Sequence, residues 1–307
     1  MKHLFATVSV ALVLHANHSW ADNLTVETIK LPALRINGQA ATAHTQGLEL
    51  AGGRYYVTAR REDVRPKRAL LLRTEKAGTD WDVWDITPVD TAGAVTTLDH
   101  PGGMQSDGKR LWIPLAESKR KGRSIIRVFP LAGIVTGQPL KPELEFAVND
   151  HIGAVAVAAD RSLVFGANWD TETVYVWDLE GRLKRTLTGS ALGQRGLGAV
   201  TGAERRAGVA VQDWKVVGDR LFASGLFRAS GSAAVSPESR LMSFTSFLEP
   251  DFQRWIVALP LHEGTELARE AMAISDGAVH FLPEDLGATS RLLRVALADL
   301  LKRSGPQ

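Results

Sequence analysis

One pattern recurs along the chain, and this repeat restricts the possible folds more than any other feature. Three segments that begin with histidine align: His44-Thr-Gln-Gly-Leu-Glu-Leu, His100-Pro-Gly-Gly-Met-Gln-Ser and His151-Ile-Gly-Ala-Val-Ala-Val. A polar turn and a second apolar run follow each of them. The segments recur at intervals of roughly 50 residues, which is typical of the blades of a β-propeller.

Two weaker copies of the pattern follow, one beginning at Val211 and the other at Arg269. In these copies, Gly218-Asp and Asp276-Gly separate two apolar runs, and such pairs favour tight β-hairpins. Helical periodicity is confined to Val295–Lys302, which also fits a strand. Five units of about four short strands each predict an all-β protein, a five-bladed β-propeller.

The ring is predicted to close through the two ends of the chain. Little sequence follows Arg291-Leu-Leu-Arg-Val, so the last unit is one strand short, whereas Thr25–Leu31 is a strand without a blade. Pairing the two completes the fifth blade and removes exposed sheet edges. Residues 22–307 then form one propeller domain. The alternative is a six-bladed ring, with a poorly marked blade between Gly181 and Ala258.

The N-terminus has the pattern of a secretory signal peptide. Lys2 precedes an apolar run from Leu4 to Leu14, and Ser19-Trp-Ala places small residues where a signal peptidase cleaves. The apolar run is shorter than the about 20 residues that a membrane helix needs. We therefore predict that residues 1–21 are removed and that the mature protein, without a membrane span, is periplasmic or secreted.

Composition excludes several classes of function. The chain has no cysteine, which excludes disulfides, thiolate nucleophiles and cysteine-bound metals. Its 36 basic and 34 acidic residues give a net charge of +2, so the chain as a whole is no polyanion binder. Aromatic residues at base-like spacing are not evident, and we predict no nucleic-acid partner.

The three histidines of the repeat are the first candidates for a functional site. The first strand of each propeller blade lines the central channel, and His44, His100 and His151 start that strand in three adjacent units. One interpretation is a convergent cluster that binds a divalent metal ion, zinc or calcium. The other is that each histidine only caps its blade by a hydrogen bond to the backbone.

Further polar residues occur at the same level of the repeat. Carboxylates there are candidates for acid–base catalysis, namely Asp150, Asp213 and Glu270. Two amide side chains, Gln46 and Gln212, are candidates for ligand binding.

Two loops near the same channel mouth are strongly basic. We predict that Arg60 and Arg61 in the first unit, and Lys119 and Lys121 in the second, attract a small anionic ligand. Solvated surface loops are the alternative explanation for such charge runs.

Parts of the first three units resemble the five-bladed glutaminyl cyclases of plants and bacteria. The similar segments are Thr45-Gln-Gly-Leu, Gly52-Gly-Arg-Tyr-Tyr, Ser106-Asp-Gly-Lys-Arg-Leu-Trp and Ala167-Asn-Trp-Asp-Thr-Glu-Thr-Val-Tyr. Where that family has Asn-Glu-Leu-Glu this chain has Asp150-His-Ile-Gly, and where it has Glu-Gly-Trp-Gly this chain has His100-Pro-Gly-Gly. Most acidic residues that the cyclase chemistry implies are thus replaced. The chain is also similar to exported lactonase-like propellers, a resemblance that implies a central divalent cation.

Three functions are consistent with this sequence. The first is a metal-dependent hydrolase or lyase for a small anionic substrate, with the site at the channel mouth. The second is a non-catalytic module that binds an anionic glycan, peptide or lipid headgroup. The third is a glutaminyl cyclase-like transferase, which the replaced carboxylates disfavour.

Overall fold

The computed structural model describes residues 24–198, 207–228 and 238–303. The predicted signal peptide, residues 1–21, lies outside these ranges. Within the described ranges, no helix is long and apolar enough to cross a membrane.

The chain begins with strand β1 (Val26–Leu31) and a short hairpin of β2 (Arg35–Ile36) and β3 (Gln39–Ala40). Blade 1 consists of β4 (His44–Ala51), β5 (Arg54–Arg61), β6 (Arg68–Glu75) and β7 (Asp82–Asp85). Blade 2 consists of β8 (His100–Pro101), β9 (Gln105–Ser106), β10 (Arg110–Ala116), β11 (Ser124–Pro130) and β12 (Leu144–Val148). Here β8 and β9 are two parts of one inner strand, because both pair with β10.

Blade 3 consists of β13 (Ile152–Ala158), β14 (Leu163–Asn168), β15 (Thr173–Asp178) and β16 (Leu183–Thr188), and helix α1 (Gly189–Gln194) follows it. Blade 4 consists of β17 (Gly208–Val217), β18 (Arg220–Arg228), β19 (Glu238–Thr245) and β20 (Gln253–Ala258). A hairpin of β21 (Leu261–His262) and β22 (Thr265–Glu266) leads to blade 5, which contains β23 (Ala271–Ser275), β24 (Ala278–Leu282) and β25 (Ser290–Ala296). Helix α2 (Leu297–Lys302) ends the described chain, and single 3₁₀ turns lie at Leu131–Gly133, Ala159–Arg161 and Trp169–Thr171.

These strands form five antiparallel blades in the described part of the chain, so the five-bladed prediction is confirmed and the six-bladed alternative is wrong. The predicted closure is also confirmed, because β1 pairs with β25 along its whole length, from Val26 opposite Val295 to Leu31 opposite Ser290. For residues 295–302 the sequence fits a helix or a strand, and the structure contains both, because β25 ends at Ala296 and a helix follows.

The glycine of the repeat reflects close packing of the inner strands. A Cβ atom at Gly47 would lie 2.7 Å from the carbonyl oxygen of Gly102 and 2.9 Å from the Cα atom of Gly103. Only glycine therefore fits where the inner strands of blades 1 and 2 approach each other.

A buried polar network, which we call the central latch (Gln105, Asp213 and Lys215), joins the inner strands. Asp213 accepts hydrogen bonds from its neighbour's amide, from the amide of Met272 in blade 5 at 2.9 Å, and from the Lys215 ammonium at 2.6 Å. Lys215 also donates to the carbonyl oxygen of Met104 in blade 2. Gln105 accepts the amides of residues 157 and 216, in blades 3 and 4. Asp213 is fully buried, so its predicted position at the channel mouth is wrong.

Candidate functional site

Irregularities at one level of the inner strands build a cavity at the channel mouth. In three of these strands the pairing register skips one residue, and the skipped residues are Gln46, Gly153 and Gln212. In blade 2 the inner strand is interrupted between Pro101 and Gln105. A β-bulge removes its residue from the regular ladder and re-aims the side chain. All three skipped residues accordingly line the cavity.

The cavity has a volume of about 290 Å³ and brings six predicted residues together. These six are His44, His100, His151, Gln46, Gln212 and Glu270. Trp169 and Arg228 also line the cavity. Equivalent positions in the repeat therefore do converge, as rotational symmetry of the blades requires.

His100 is held by hydrogen bonds on both ring nitrogens. The Arg60 guanidinium donates to Nδ1 at 2.8 Å, which leaves the proton on Nε2, and Nε2 then donates to the side-chain oxygen of Gln46 at 2.8 Å. Burial, with the nearby Arg60 charge, lowers the pKa of His100 well below its usual value. His100 is thus a neutral residue that positions Gln46.

His151 keeps one ring nitrogen available. Its Nδ1 donates to the carbonyl oxygen of Glu117 at 2.7 Å, so the lone pair is on Nε2. The ring packs edge-on against Trp169, with centroids 4.6 Å apart, and against His100, with centroids 5.1 Å apart. Burial lowers the pKa of His151, so the imidazole is neutral at pH 7 with a basic nitrogen.

Glu270 is the carboxylate of the cavity. Burial raises its pKa to about 7, although His44 and Arg269 act in the opposite direction. The Nε atom of Arg269 lies 3.6 Å from the carboxylate. A carboxyl group with this pKa takes up and releases its proton close to neutral pH.

The donor set does not fit the predicted three-histidine metal site as it stands. Each ligating imidazole needs a free ring nitrogen, and both nitrogens of His100 are engaged. His44 donates Nδ1 to Asp285 at 2.7 Å and His151 bonds Glu117, so each keeps Nε2. Among the described residues, no group of three or more histidine, aspartate or glutamate side chains is arranged to hold a metal ion.

The remaining predicted residues lie outside the cavity wall. Asp150 faces blade 3, where its carboxylate accepts hydrogen bonds from Asn168 at 2.8 Å and from the Tyr175 hydroxyl at 2.9 Å. The amide of His151 donates to its other oxygen. Because three donors of blade 3 surround it, Asp150 stabilises the end of that blade at the channel mouth and does not reach the cavity.

The four predicted basic residues have separate environments, and none of them is part of the described cavity wall. Arg60 lies behind His100 and also pairs with Glu62. Lys119 pairs with Glu117 at 2.9 Å, and Lys121 is exposed. Arg61 pairs with an aspartate, at 2.8 Å, on the other side of its strand.

Sequence reasoning missed Arg228. It ends the second strand of blade 4, opposite Gly208, just as Arg60 lies near the end of the second strand of blade 1, opposite His44. A basic residue after the apolar run Leu221–Phe227 was the available signal.

Residues 21–244 match the family of unknown function DUF6454. The chain belongs to this family. No curated protein matches it.

Among solved structures, this DUF6454 member is similar to a xylan β-1,4-xylosidase from Bacillus halodurans C-125, with 9% identity, a TM-score of 0.50, and coverage of 86% of this chain and 54% of that one. An engineered GH43 glycoside hydrolase has 13% identity and a TM-score of 0.50, over 84% of this chain and 52% of that one. The catalytic domain of a GH62 α-L-arabinofuranosidase from Coprinopsis cinerea has 12% identity and a TM-score of 0.49, over 90% and 98%. At such identities the likeness concerns the fold alone.

Proposed function

We propose that the channel-mouth cavity is the active site of a hydrolase or lyase that acts on a small anionic substrate by acid–base catalysis. The observation that carries this proposal is that a free basic nitrogen on His151 and a protonatable carboxyl on Glu270 line the same cavity.

His151 is suited to the role of general base. The carbonyl oxygen of Glu117 fixes the tautomer and the ring orientation, so Nε2 is the nitrogen that takes a proton from water or substrate. Burial lowers the pKa of His151, which keeps that nitrogen unprotonated below neutrality.

Glu270 is suited to the role of general acid. A carboxyl group with a pKa of about 7 carries a proton at the pH where most enzymes work, and it donates that proton to a leaving group. Two groups whose environments move their pKa values in opposite directions from the usual ones are typical of an acid–base pair.

Arg228 supports an anionic substrate. It lines the cavity, and within the described residues no carboxylate pairs with it, so its guanidinium is available to a carboxylate or phosphate of the ligand. The Gln212 amide, placed by its bulge, and the amide nitrogen of Gln46 add donors. A cavity of about 290 Å³ suits a small molecule.

We also propose that the protein is exported, so it would encounter its substrate in the periplasm or outside the cell. A metal ion stays a separate proposal, in which His44 and His151 would use their free Nε2 atoms. The glutaminyl cyclase activity is disfavoured because the acidic residues it implies are replaced at His100 and in the segment from Asp150.

The test is a hydrolysis and elimination screen with purified protein. A panel of small esters, lactones, amides and uronate conjugates, each bearing a carboxylate, is incubated with wild type, His151→Gln and Glu270→Gln, and products are read by mass spectrometry. We expect a rate loss of about 100-fold or more in either variant. Glu143→Gln, at an exposed residue directly before β12, is the matched control.

Two outcomes would contradict the proposal. Saturable binding of a panel member without turnover would indicate the binding module instead. Turnover that both variants retain would place the chemistry elsewhere. Repeating the assay with a chelator separates the metal proposal, because acid–base chemistry by these two residues should survive chelation.

A further inference from the structure

A second cleft, which we call the arginine cleft (Arg35, Arg61, Arg65, Arg68 and Trp81), lies at the outer edge of blade 1. The hairpin of β2 and β3, the loop between β5 and β6, and strand β7 form its walls, and its volume is about 660 Å³. It shares no lining residue with the channel-mouth cavity in the described structure.

Strand geometry explains why two neighbouring arginines at the end of β5, Arg60 and Arg61, lie in different surroundings. Successive side chains of a strand point to opposite faces. Arg60 therefore turns towards His100, whereas Arg61 lines the arginine cleft. Of the two arginines that the sequence suggested for the channel mouth, Arg60 contacts His100 and Arg61 lies in the arginine cleft.

The arginine cleft carries more positive charge than its carboxylates balance. Arg61 pairs with Asp63 at 2.8 Å, and Arg68 lies 3.6 Å from Asp85. Arg35 bonds only a backbone carbonyl oxygen, that of residue 38, among the described residues. Arg65 likewise donates only to carbonyl oxygens. Four guanidinium groups against two carboxylates leave an excess of two positive charges.

Two of these arginines are held in place without being neutralised. Nη1 of Arg65 donates to the carbonyl oxygens of Glu62 at 2.6 Å and Val64 at 2.8 Å. Nη1 of Arg35 donates to the carbonyl oxygen of Gly38 at 3.0 Å. In both, Nε and Nη2 remain for a tetrahedral oxyanion, which a guanidinium binds by paired hydrogen bonds.

The cleft also has an aromatic wall. The indole nitrogen of Trp81 donates to the carbonyl oxygen of Pro32 at 2.9 Å, which fixes the ring. Ile36 and Val83 line the cleft beside it. A ligand with only an anionic group would leave this apolar wall uncovered.

We propose that the arginine cleft binds a phosphate monoester whose ring-bearing organic group lies against Trp81. The two negative charges of the ester match the excess of two positive charges, and the ring covers the apolar wall. This site is separate from the proposed active site and does not rest on it.

The test is isothermal titration calorimetry at pH 7.5 with phenyl phosphate, inorganic phosphate and phenol as probes. We expect phenyl phosphate to bind with a dissociation constant below about 1 mM. Inorganic phosphate should bind about 10-fold more weakly, and phenol should not bind measurably. The double variant Arg35→Gln/Arg65→Gln and the variant Trp81→Leu should each weaken phenyl phosphate by about 10-fold or more.

The matched control is Lys121→Gln/Arg182→Gln, which removes the same charge from exposed residues elsewhere and should retain wild-type affinity. Thermal unfolding confirms that each variant is folded. Equal binding of inorganic phosphate and phenyl phosphate would overturn the assignment. So would full affinity in the Arg35→Gln/Arg65→Gln variant, or an equal loss in the control. Because the two sites share no lining residue, this binding is measured independently of the proposed hydrolase or lyase activity.

Discussion

Replacing Asp213 by alanine tests whether the central latch holds the blades together. The substitution removes the acceptor of three good hydrogen bonds, from the amides of Trp214 and Met272 and from the Lys215 ammonium. Burial raises the pKa of Asp213, but every contact to it is a donor, so these contacts favour its ionised form. Alanine leaves the ammonium with hydrogen bonds to carbonyl oxygens only, and with Glu49 as the remaining carboxylate near it.

The magnitude follows from these contacts. Each lost backbone hydrogen bond costs about 1 kcal/mol, and a buried ammonium without its carboxylate costs about 3 to 5 kcal/mol. We expect Asp213→Ala to lower the free energy of unfolding by about 5 kcal/mol. The free energy of unfolding of a typical domain is only about 5 to 15 kcal/mol, so the variant should be close to unfolding at 25 °C.

The assay is urea unfolding followed by tryptophan fluorescence and, independently, by far-ultraviolet circular dichroism. The matched variants are Lys215→Met and the double variant Asp213→Ala/Lys215→Met. Because the double variant leaves no unpaired ammonium, it should be more stable than Asp213→Ala alone. A loss below about 2 kcal/mol in Asp213→Ala, or a double variant whose loss equals the sum of the single losses, would refute the reasoning.

Three further predictions concern pH and closure. Burial raises the pKa of Glu49 to about 7 from its usual 4.5, so the folded state holds this proton more tightly than the unfolded state does. The contribution of Glu49 to the free energy of unfolding should therefore be highest below pH 4.5. It should fall by about 3 kcal/mol as the pH rises through 7. Glu49→Gln should abolish that part of the fall in urea unfolding at pH 5 and pH 8, and an unchanged pH dependence would contradict the assignment. The proposed activity should have a bell-shaped pH profile, because His151 must be unprotonated and Glu270 protonated. The alkaline limb should lie at about pH 7, set by Glu270, and the acid limb should lie below the usual titration range of histidine. Glu270→Gln, if residual rate is measurable, should lose the alkaline limb. Deleting Val26–Leu31 should expose β25 as an edge and cause aggregation in light scattering, whereas a soluble, equally stable truncation would argue against closure by β1.

The repeat predicted the ring and most of the cavity because rotational symmetry carries equivalent residues to one level. His44, His100 and His151 could thus be placed together without any knowledge of side-chain contacts. Whether they coordinate a metal depends on their hydrogen-bond partners. For His100 those include Arg60 in another blade, and such long-range pairing leaves no local trace in the sequence.

The errors have local causes. A bulge at Gln212 turns that residue into the cavity and Asp213 inwards, and nothing in the sequence marks its position. Asp150 directly precedes His151, and it is held by Asn168 and Tyr175 of its own blade. Neither bond could be inferred before the strands of blade 3 were aligned.

The pairing of β1 with β25 also determines when folding can finish. Along the chain, β1 is the first described strand and its partner β25 is the last. Blades 1 to 4 can each form from contiguous sequence, whereas blade 5 needs both the first and the last of the described strands. Contacts of such large sequence separation form slowly, because the entropy of closing the loop is lost before the contact stabilises it. During that interval β1 and β25 are unpaired edges, and a chaperone that covers β1 would protect the folding chain from intermolecular β-pairing.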